Sequence, residues 1–98
     1  MSLPIVFRPV ARLEMDDTME WYQKQKEGLE LEFKDAVDQL LQRIAAAPLR
    51  FSPVRGEIRR ALLRRFPYAI YFVPEPNAII VLAVFHPKRD PRHLEGRS

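Results

Sequence analysis

The second half of the chain contains three strand-like segments in close succession, and they restrict the fold more than any other feature. The segments are residues 57–65, 66–73 and 78–85. The last two are rich in β-branched and aromatic residues, which favour β-strands, and a proline-rich turn at residues 74–77 separates them. We therefore expect a three-stranded antiparallel meander. The third segment is apolar throughout, so we expect it to be a central strand buried on both faces.

The first half of the chain changes from a strand pattern to helical patterns. Residues 3–7 form an apolar, β-branched run, and Pro4 favours an edge position for this strand. Residues 11–26 mix apolar and charged side chains without a helix breaker, and we expect Gly28 to cap that helix. Residues 29–44 predict a second helix with one apolar stripe. The stripe consists of Leu29, Phe33, Val37, Leu40, Leu41 and Ile44.

Together these elements predict an α+β fold in a single domain that covers residues 1–98. The expected order is β-α-α-β-β-β, with the two helices forming an antiparallel hairpin over the sheet. Residues 48–56 contain two prolines and a glycine, and we interpret them as the connection between the hairpin and the meander. The first strand is expected at one side of the meander. Residues 86–98 are polar and basic, and they predict a tail with a loop or a single helical turn.

Charge is divided unequally between the two halves of the chain. Residues 1–47 hold six Lys and Arg against nine Asp and Glu, whereas residues 48–98 hold ten against four. A basic half of this kind is expected to face an anionic partner, either nucleic acid or an acidic protein.

Composition excludes several classes of site and predicts a location. The absence of cysteine excludes disulfides, thiolate zinc sites and cysteine nucleophiles. With His86 and His93 as the only histidines, we expect no metal site and no cofactor. The N-terminus lacks the pattern of a secretory signal, and no apolar run is long enough to cross a bilayer. We therefore expect a cytoplasmic protein that does not bind membranes.

Four arginines accompany the first strand of the meander, and two interpretations remain open for them. They form either a solvated strand face whose charges block edge pairing, or a contact with a partner. Strand alternation puts Arg60 and Arg64 on one face, and Arg59 and Arg65 on the other. A single site cannot use all four unless a bulge or a strand end intervenes.

The tail makes the strongest case for function among the basic segments. We expect a short, mostly polar tail to gain little fold stability from four cations, which favours a role in binding. These are Lys88, Arg89, Arg92 and Arg97. His86, which precedes them, is either a hydrogen-bonded loop residue or a catalytic base.

Two groups of aromatic residues are expected to serve mainly as core. Phe66 and Tyr68 are interpreted as the entry to the second strand of the meander, with the Tyr68 hydroxyl available to a partner. Trp21 and Tyr22 are expected to pack the helical hairpin onto the sheet, whereas an exposed Trp21 would indicate an interface.

An ordered set of residues runs through nearly the whole chain with spacings typical of one family. In the helices the set is Ala11, Glu14, Trp21-Tyr22, Gly28-Leu29, Phe33, Val37, Ile44 and Pro48. In the sheet and tail it is Arg65-Phe66-Pro67-Tyr68, Ile70-Tyr71, Ala83-Val84, His86, Arg89 and Pro91. On these residues the chain resembles toxins of the RelE/ParE superfamily from type II toxin–antitoxin modules, and it is closer to the ParE (plasmid stabilisation) branch.

The resemblance implies a toxin that arrests growth and is held inactive by a cognate antitoxin in a hetero-oligomer. ParE-like members are held to poison DNA gyrase by stalling it on cleaved DNA, and they are not enzymes. RelE-like members are endoribonucleases that cleave mRNA in the ribosome. A third alternative is an inactive homologue that is retained as an antitoxin partner.

Two departures from the cleaving branch favour the gyrase inhibitor over an enzyme. That branch typically has an arginine where this chain has Ala69, and a tyrosine near the C-terminus, which this tail lacks. If the chain were a ribonuclease, the expected catalytic residues would be His86, Arg89 and Arg65. For contact with the target or the antitoxin, the expected residues are Arg60, Arg64, Arg65, Tyr68, His86, Lys88, Arg89, Arg92 and Arg97.

Overall fold

The computed structural model describes residues 2–97, with two helices covering one face of a five-stranded sheet. The helices are α1 (Pro9–Gln25) and α2 (Leu29–Ala46). The strands are β1 (Ile5–Phe7), β2 (Pro53–Arg55), β3 (Ile58–Leu62), β4 (Ala69–Pro74) and β5 (Ile79–Phe85). Short 3₁₀ turns follow α2 at Pro48–Arg50 and lie in the tail at Pro91–Leu94.

The strand order β1-β5-β4-β3-β2 confirms the predicted α+β fold and adds one strand to it. β3, β4 and β5 form the expected antiparallel meander, and β1 joins β5 in parallel at one side. The connection at residues 48–56 contains the extra edge strand β2, which the sequence did not predict. β2 begins with a proline and all its residues are exposed, so its sequence lacks the alternation of apolar and polar residues that identifies a strand.

The predicted strands at 57–65 and 66–73 are too long, because residues 63–68 form the loop between β3 and β4. The loop closes with a hydrogen bond from the Leu63 N–H to the Tyr68 carbonyl, with an N···O distance of 3.0 Å. Phe66 is buried and Tyr68 half-buried against the helices, which confirms their core role.

An aromatic cluster joins the helical hairpin to the sheet. Tyr22, Phe33 and Phe66 lie with ring centroids 5.0–5.3 Å apart, and Tyr68 lies 5.7 Å from Phe33. Mixed tilted and edge-to-face arrangements at these distances are favourable. Burial, followed by the nearby Tyr68 hydroxyl, raises the pKa of Tyr22. The predicted apolar stripe of α2 faces this core, with all its members buried except the half-buried Leu29.

Two expectations about the helical hairpin need correction. Trp21 is 54% exposed and does not pack on the sheet, whereas its neighbour Tyr22 is buried as expected. Adjacent residues on a helix point about 100° apart, so only one of the two faces the core. Gly28 has a left-handed backbone (φ +87°), but it precedes α2, and Lys26 is the residue that caps α1.

The other face of the sheet carries a second core, and β5 contains a β-bulge within it. Tyr71 pairs with Ala83 and Phe72 with Val81, so Leu82 is the extra residue. The bulge shifts the alternation, and both Leu82 and Ala83 turn away from the helices. We call this side of the sheet the open face. Its core consists of Ile58, Ala69, Tyr71, Val73, Leu82, Ala83, Phe85 and the tail residue Leu94.

β5 is therefore buried on both faces and lies between β1 and β4, as predicted. Within residues 2–97, neither helix combines the length and apolar character that crossing a bilayer requires.

Candidate functional site

Two side chains, those of Glu14 and Arg97, hydrogen-bond the backbone of β5 beyond the point where β1 ends. β1 pairs with β5 only through Ile79–Val81. Beyond that point, the Val84 N–H donates to Glu14 Oε1 of α1 at 3.1 Å. Arg97 Nη1 donates to the same oxygen at 2.9 Å and to the Leu82 carbonyl at 3.2 Å. Glu14 and Arg97 thus satisfy backbone groups that a longer β1 would have paired.

Arg97 is therefore part of the fold, contrary to the expectation that the tail cations contribute little to it. Its side chain is 13% exposed and that of Glu14 is 14% exposed, so the ion pair is largely shielded from water. Charged hydrogen bonds in such a setting are strong. Leu94 is also buried, in the open-face core. The predicted helical turn of the tail is present at Pro91–Leu94, and it anchors the tail to the sheet.

Arg89 is held from two sides. Its Nη1 lies 3.5 Å from Glu14 Oε2, and its guanidinium lies 5.0 Å from the centre of the Phe85 ring. Such contacts between a cation and an aromatic face are attractive. The Arg89 side chain nevertheless keeps an exposed surface, so a partner can still reach it.

Carboxylates neutralise further charges around the tail. Arg92 binds Asp90 through Nε at 2.9 Å and Nη2 at 2.7 Å, and this hydrogen-bonded guanidinium lowers the pKa of Asp90. Glu95 binds Arg55 at 2.7 Å. Of the four predicted tail cations, Lys88 is the one without an ion-pair partner within residues 2–97.

His86 lies in a turn at the end of β5 and is exposed to solvent. Its Nδ1 accepts a hydrogen bond from the Lys88 N–H at 3.0 Å, and its carbonyl accepts one from the Arg89 N–H at 2.9 Å. The loop interpretation accounts for both contacts. Nε2 remains available to a partner.

The arginines near β3 lie on different surfaces. Arg59 faces the helix side and donates to the Phe51 carbonyl, whereas Arg60 lies on the open face, opposite Tyr71. This alternation was predicted, but β3 ends at Leu62, so the other two arginines lie beyond the strand.

Arg64 and Arg65 border a groove of about 280 Å³ between α2 and the end of β3. Arg65 binds Glu32 at 2.7 Å, and this contact lowers the pKa of Glu32. Arg64 has no ion-pair partner within the described residues. We call this feature the α2–β3 groove, and it is lined by Ala36, Gln39, Leu40, Arg43, Leu62, Leu63, Arg64 and Arg65.

A second concavity, of about 540 Å³, lies on the open face beside the tail. Ile58, Val73 and Leu82 contribute apolar surface to it. Its charged residues are Arg8, Arg55, Glu57, Glu75 and Glu95, so both signs are present. The predicted cationic residues do not line it.

The chain matches the sequence model of the ParE toxin of the type II toxin–antitoxin system parDE over residues 5–91. The chain belongs to the ParE toxin family. A comparison with curated proteins returned no match.

Two solved structures have the same fold as this ParE family member. One is described as the chromosomal ParDE toxin–antitoxin system from P. aeruginosa; it has a TM-score of 0.75 and 12% identity, with 87% of this chain and 96% of that chain covered. The other is the toxin–antitoxin complex RelBE2 from Mycobacterium tuberculosis; it has a TM-score of 0.63 and 18% identity, with 88% and 99% covered. At these identities the likeness concerns the fold.

The ParE family match leaves part of the tail uncovered. Arg92 and Arg97 follow the last matched residue, Pro91, whereas Glu14 lies within the match. The match therefore covers Glu14, which binds Arg97, and ends before Arg97 itself.

The sequence analysis did not identify three residues that shape the tail anchor and the α2–β3 groove. Glu14 was noted only as part of the family pattern, and no local signal links it to Arg97, 83 residues away. Arg43 was assigned to the polar face of α2, and Leu62 to the interior of a longer strand. Pro67 could have indicated that a loop precedes β4, and that β3 therefore ends at Leu62, where its pairing with Ala69 is the last.

Proposed function

We propose that this chain is the toxin of a type II module that arrests growth by binding DNA gyrase and stalling it on cleaved DNA. A cognate antitoxin neutralises it in a hetero-oligomer. The observation that carries the proposal is the match to the ParE toxin model over residues 5–91. In this function the toxin acts by binding and does not catalyse a reaction.

The positions of Arg65 and Arg89, two of the three candidate ribonuclease residues, support this choice over mRNA cleavage. Arg65 is bound to Glu32 in the first turn of α2, and Arg89 lies beside Glu14 near the start of α1. In an antiparallel hairpin these two carboxylates are near opposite ends, with roughly 15 Å of helix between them. Cleavage needs its base and its charge-stabilising groups around one reacting phosphate.

The residue at position 69 also favours a binding function. Ala69 is fully buried in the open-face core and has no polar side-chain atom. The arginine that the cleaving branch typically has at this position would offer a cation to the phosphate. Neither Ala69 nor its neighbours in that core, Tyr71 and Phe85, offers such a group at the surface.

The experiment measures supercoiling of relaxed plasmid by purified gyrase with increasing amounts of toxin. We expect loss of supercoiling and accumulation of linear DNA after denaturant and protease treatment, both relieved by excess antitoxin. Lys88→Glu is expected to weaken inhibition because Lys88 is the unpaired tail cation within residues 2–97. Lys26→Glu, an exposed lysine in the turn between the helices, serves as its matched control.

Two results would overturn the proposal. One is a toxin that arrests growth and leaves gyrase unaffected while mRNA is cleaved in a translating extract. The other is an intact chain that does not arrest growth at all. Truncating the tail is not a clean test, because it removes Leu94 and Arg97 and thus part of the fold.

A further inference from the structure

We propose that the concavity on the open face binds a short apolar peptide with free ends, its amine beside Glu57 and Glu75 and its carboxylate beside Arg8. We call this feature the open-face concavity. The inference goes beyond the proposed function and does not depend on it. Three features carry it: an apolar floor, a wall that the tail forms, and unpaired charges of opposite sign at two sides.

The floor of the open-face concavity is apolar and comes from three adjacent strands. Ile58 of β3, Val73 of β4 and Leu82 of β5 line it, and all three are buried in the open-face core. Ile80, which pairs with Val73, is half-buried and packs against the same core. The volume of about 540 Å³ is typical of ligand sites, which combine apolar surface with a few polar groups. Apolar side chains of a bound molecule would therefore be favoured here.

The tail forms one wall of the open-face concavity. Leu94 is buried in the open-face core, and the next residue, Glu95, binds Arg55 of the edge strand β2 at 2.7 Å. Arg97 donates to the Leu82 carbonyl at 3.2 Å, close to the opposite edge of the sheet. The tail is thus attached to the sheet at three consecutive points, and it gives the concavity a fixed side.

Unpaired charges of opposite sign line the open-face concavity at different sides. Arg8 follows β1 at one edge of the sheet, whereas Glu57 precedes β3 and Glu75 follows β4. Within residues 2–97, none of these three has an ion-pair partner. The other two charged residues of the lining, Arg55 and Glu95, bind each other. A ligand with one positive and one negative end would complement both sides.

The spacing of the strands indicates the length of the ligand. β5 and β4 lie between β1 and β3, so β1 and β3 are three strand spacings apart, roughly 14 Å. The side chains of Arg8 and Glu57 both line the concavity and therefore shorten this gap. An extended tripeptide spans roughly 10 Å, and it can reach both sides, whereas a single amino acid is too short. Hydrolysis of peptide bonds creates both charged ends, so proteolysis is the class of reaction that supplies such a ligand.

Nucleic acid suits the open-face concavity less well. Its unpaired carboxylates, Glu57 and Glu75, outnumber its unpaired arginine, Arg8, so a chain of phosphates would be repelled. An internal segment of a polypeptide could use the apolar floor, but it has no charged ends for Arg8 and the carboxylates to bind. The free ends of the ligand are therefore the feature that the experiment must test.

The test titrates the peptide Leu-Ala-Leu into isotopically labelled full-length protein and follows its NMR signals. We expect a Kd on the order of 100 µM, which a ligand of this size can reach. The largest shifts should be those of the methyl groups of Ile58, Val73 and Leu82. Matched probes are the same peptide with its amine acetylated, with its carboxylate amidated, and with both ends blocked. Each block should raise the Kd about fivefold, and the two together about 20-fold.

Charge variants assign each end of the peptide to its side of the concavity. Combined Glu57→Gln and Glu75→Gln should raise the Kd of the free peptide about fivefold but leave that of the acetylated peptide unchanged. Arg8→Gln should do the same for the free and the amidated peptide. Glu27→Gln and Arg50→Gln, at exposed residues outside the concavity, are matched controls and should stay within about twofold. Thermal unfolding checks that every variant is folded.

A bulky replacement tests the location of the peptide independently of charge. Ile80→Trp adds an indole to the half-buried edge of the floor and should weaken binding of every probe at least about tenfold. Undiminished binding to this variant would place the peptide elsewhere on the protein.

Three further outcomes would overturn the inference. A Kd above about 10 mM for the free peptide would mean that the open-face concavity does not bind this class of ligand. Equal binding of the free and the doubly blocked peptide would mean that the concavity accepts an internal polypeptide segment. If the charge variants weaken every probe alike, Arg8 and the two carboxylates do not bind the peptide ends. The test involves neither gyrase nor the antitoxin, so its failure and that of the proposed function are distinguishable.

Discussion

The tail and the α2–β3 groove are both rich in arginine, and the structure treats the two regions in opposite ways. In the tail, carboxylates bind Arg89, Arg92 and Arg97, and one of these arginines is largely buried. At the groove, Arg43 and Arg64 face solvent without an ion-pair partner within residues 2–97. A similar density of positive charge therefore serves the fold in one region and remains available to a partner in the other.

The difference follows from burial. Arg97 lies against the edge of β5, where an uncompensated charge would be costly, and Glu14 provides the compensation. Arg64 lies at a rim open to water, where no partner is needed for the protein to fold. Counting charges along a sequence cannot distinguish the two, because the deciding carboxylate is in another element.

Leucine replacements give the largest expected contrast between the two regions. Leu94→Ala in the tail should lower the free energy of unfolding by about 3 kcal/mol, because it removes buried methyl groups and leaves a cavity. Leu94 is 2% exposed, and Leu62 at the groove is 54% exposed. Leu62→Ala should therefore cost less than about 0.5 kcal/mol. Urea denaturation followed by circular dichroism measures both.

Equal losses from the two leucine variants would contradict the comparison. A loss of less than about 1 kcal/mol for Leu94→Ala would mean that the tail does not hold the open-face core together. The slope of the denaturation curve is the control. A change in that slope would indicate an altered denatured state, and the two free energies would then not be comparable.

Replacing the carboxylate that anchors the tail is expected to have the next largest effect. Glu14→Gln keeps an oxygen for the Val84 N–H but removes the charge that compensates Arg97. The expected loss is about 2 kcal/mol, since removing one partner of a largely buried ion pair leaves the other uncompensated. Glu20→Gln is the matched control, because Glu20 forms an exposed pair with Lys24 on the same helix.

Thermal unfolding of the Glu14 and Glu20 variants provides the comparison. Glu20→Gln should change stability by less than about 0.5 kcal/mol, as is usual for an exposed helix pair. Adding Arg97→Gln to Glu14→Gln should recover part of the loss, because the buried charge is then removed as well. If the double variant loses as much further stability as Arg97→Gln costs on its own, the two free-energy changes are additive and the residues act independently.

The sequence predicted the elements whose patterns are local and missed the features that depend on distant partners. The apolar stripe of α2 and the uniformly apolar β5 identified two elements correctly because each pattern lies within one element. The edge strand β2 was missed, and Trp21, which we expected to pack on the sheet, is exposed. β2 exists because β3 offers it an edge, and the side of α1 that faces the core is fixed by the hairpin's placement on the sheet.

The candidate site was less predictable than the fold, for the same reason. Residue type correctly suggested that Arg64 and Arg65 lie at the surface. It did not reveal that Glu32 binds Arg65 and leaves Arg64 unpaired within residues 2–97. The tail was recognised as basic, yet its anchoring depends on Glu14 and on the β5 edge that β1 leaves open. The position of Arg64 and Arg65 depends on where β3 ends, and the anchoring of the tail depends on where β1 ends. The ends of strands are among the least predictable features of a sequence pattern.

The smallest expected effect distinguishes the neighbours Arg64 and Arg65. Arg65 hydrogen-bonds Glu32 at 2.7 Å and lowers the pKa of that carboxyl, so Arg65→Gln should raise it towards its ordinary value of 4.5. Because the folded-state pKa is lowered, the pair stabilises the fold above the unfolded pKa, and this contribution disappears as pH falls through the folded value. Stability should therefore fall less steeply in acid for Arg65→Gln.

Carbon-detected NMR titration of Glu32 measures the pKa directly, and Arg64→Gln should leave it unchanged. An equal rise in both variants would show that Glu32 senses the general positive field of the groove, and Arg64 would then be no freer to bind a partner than Arg65.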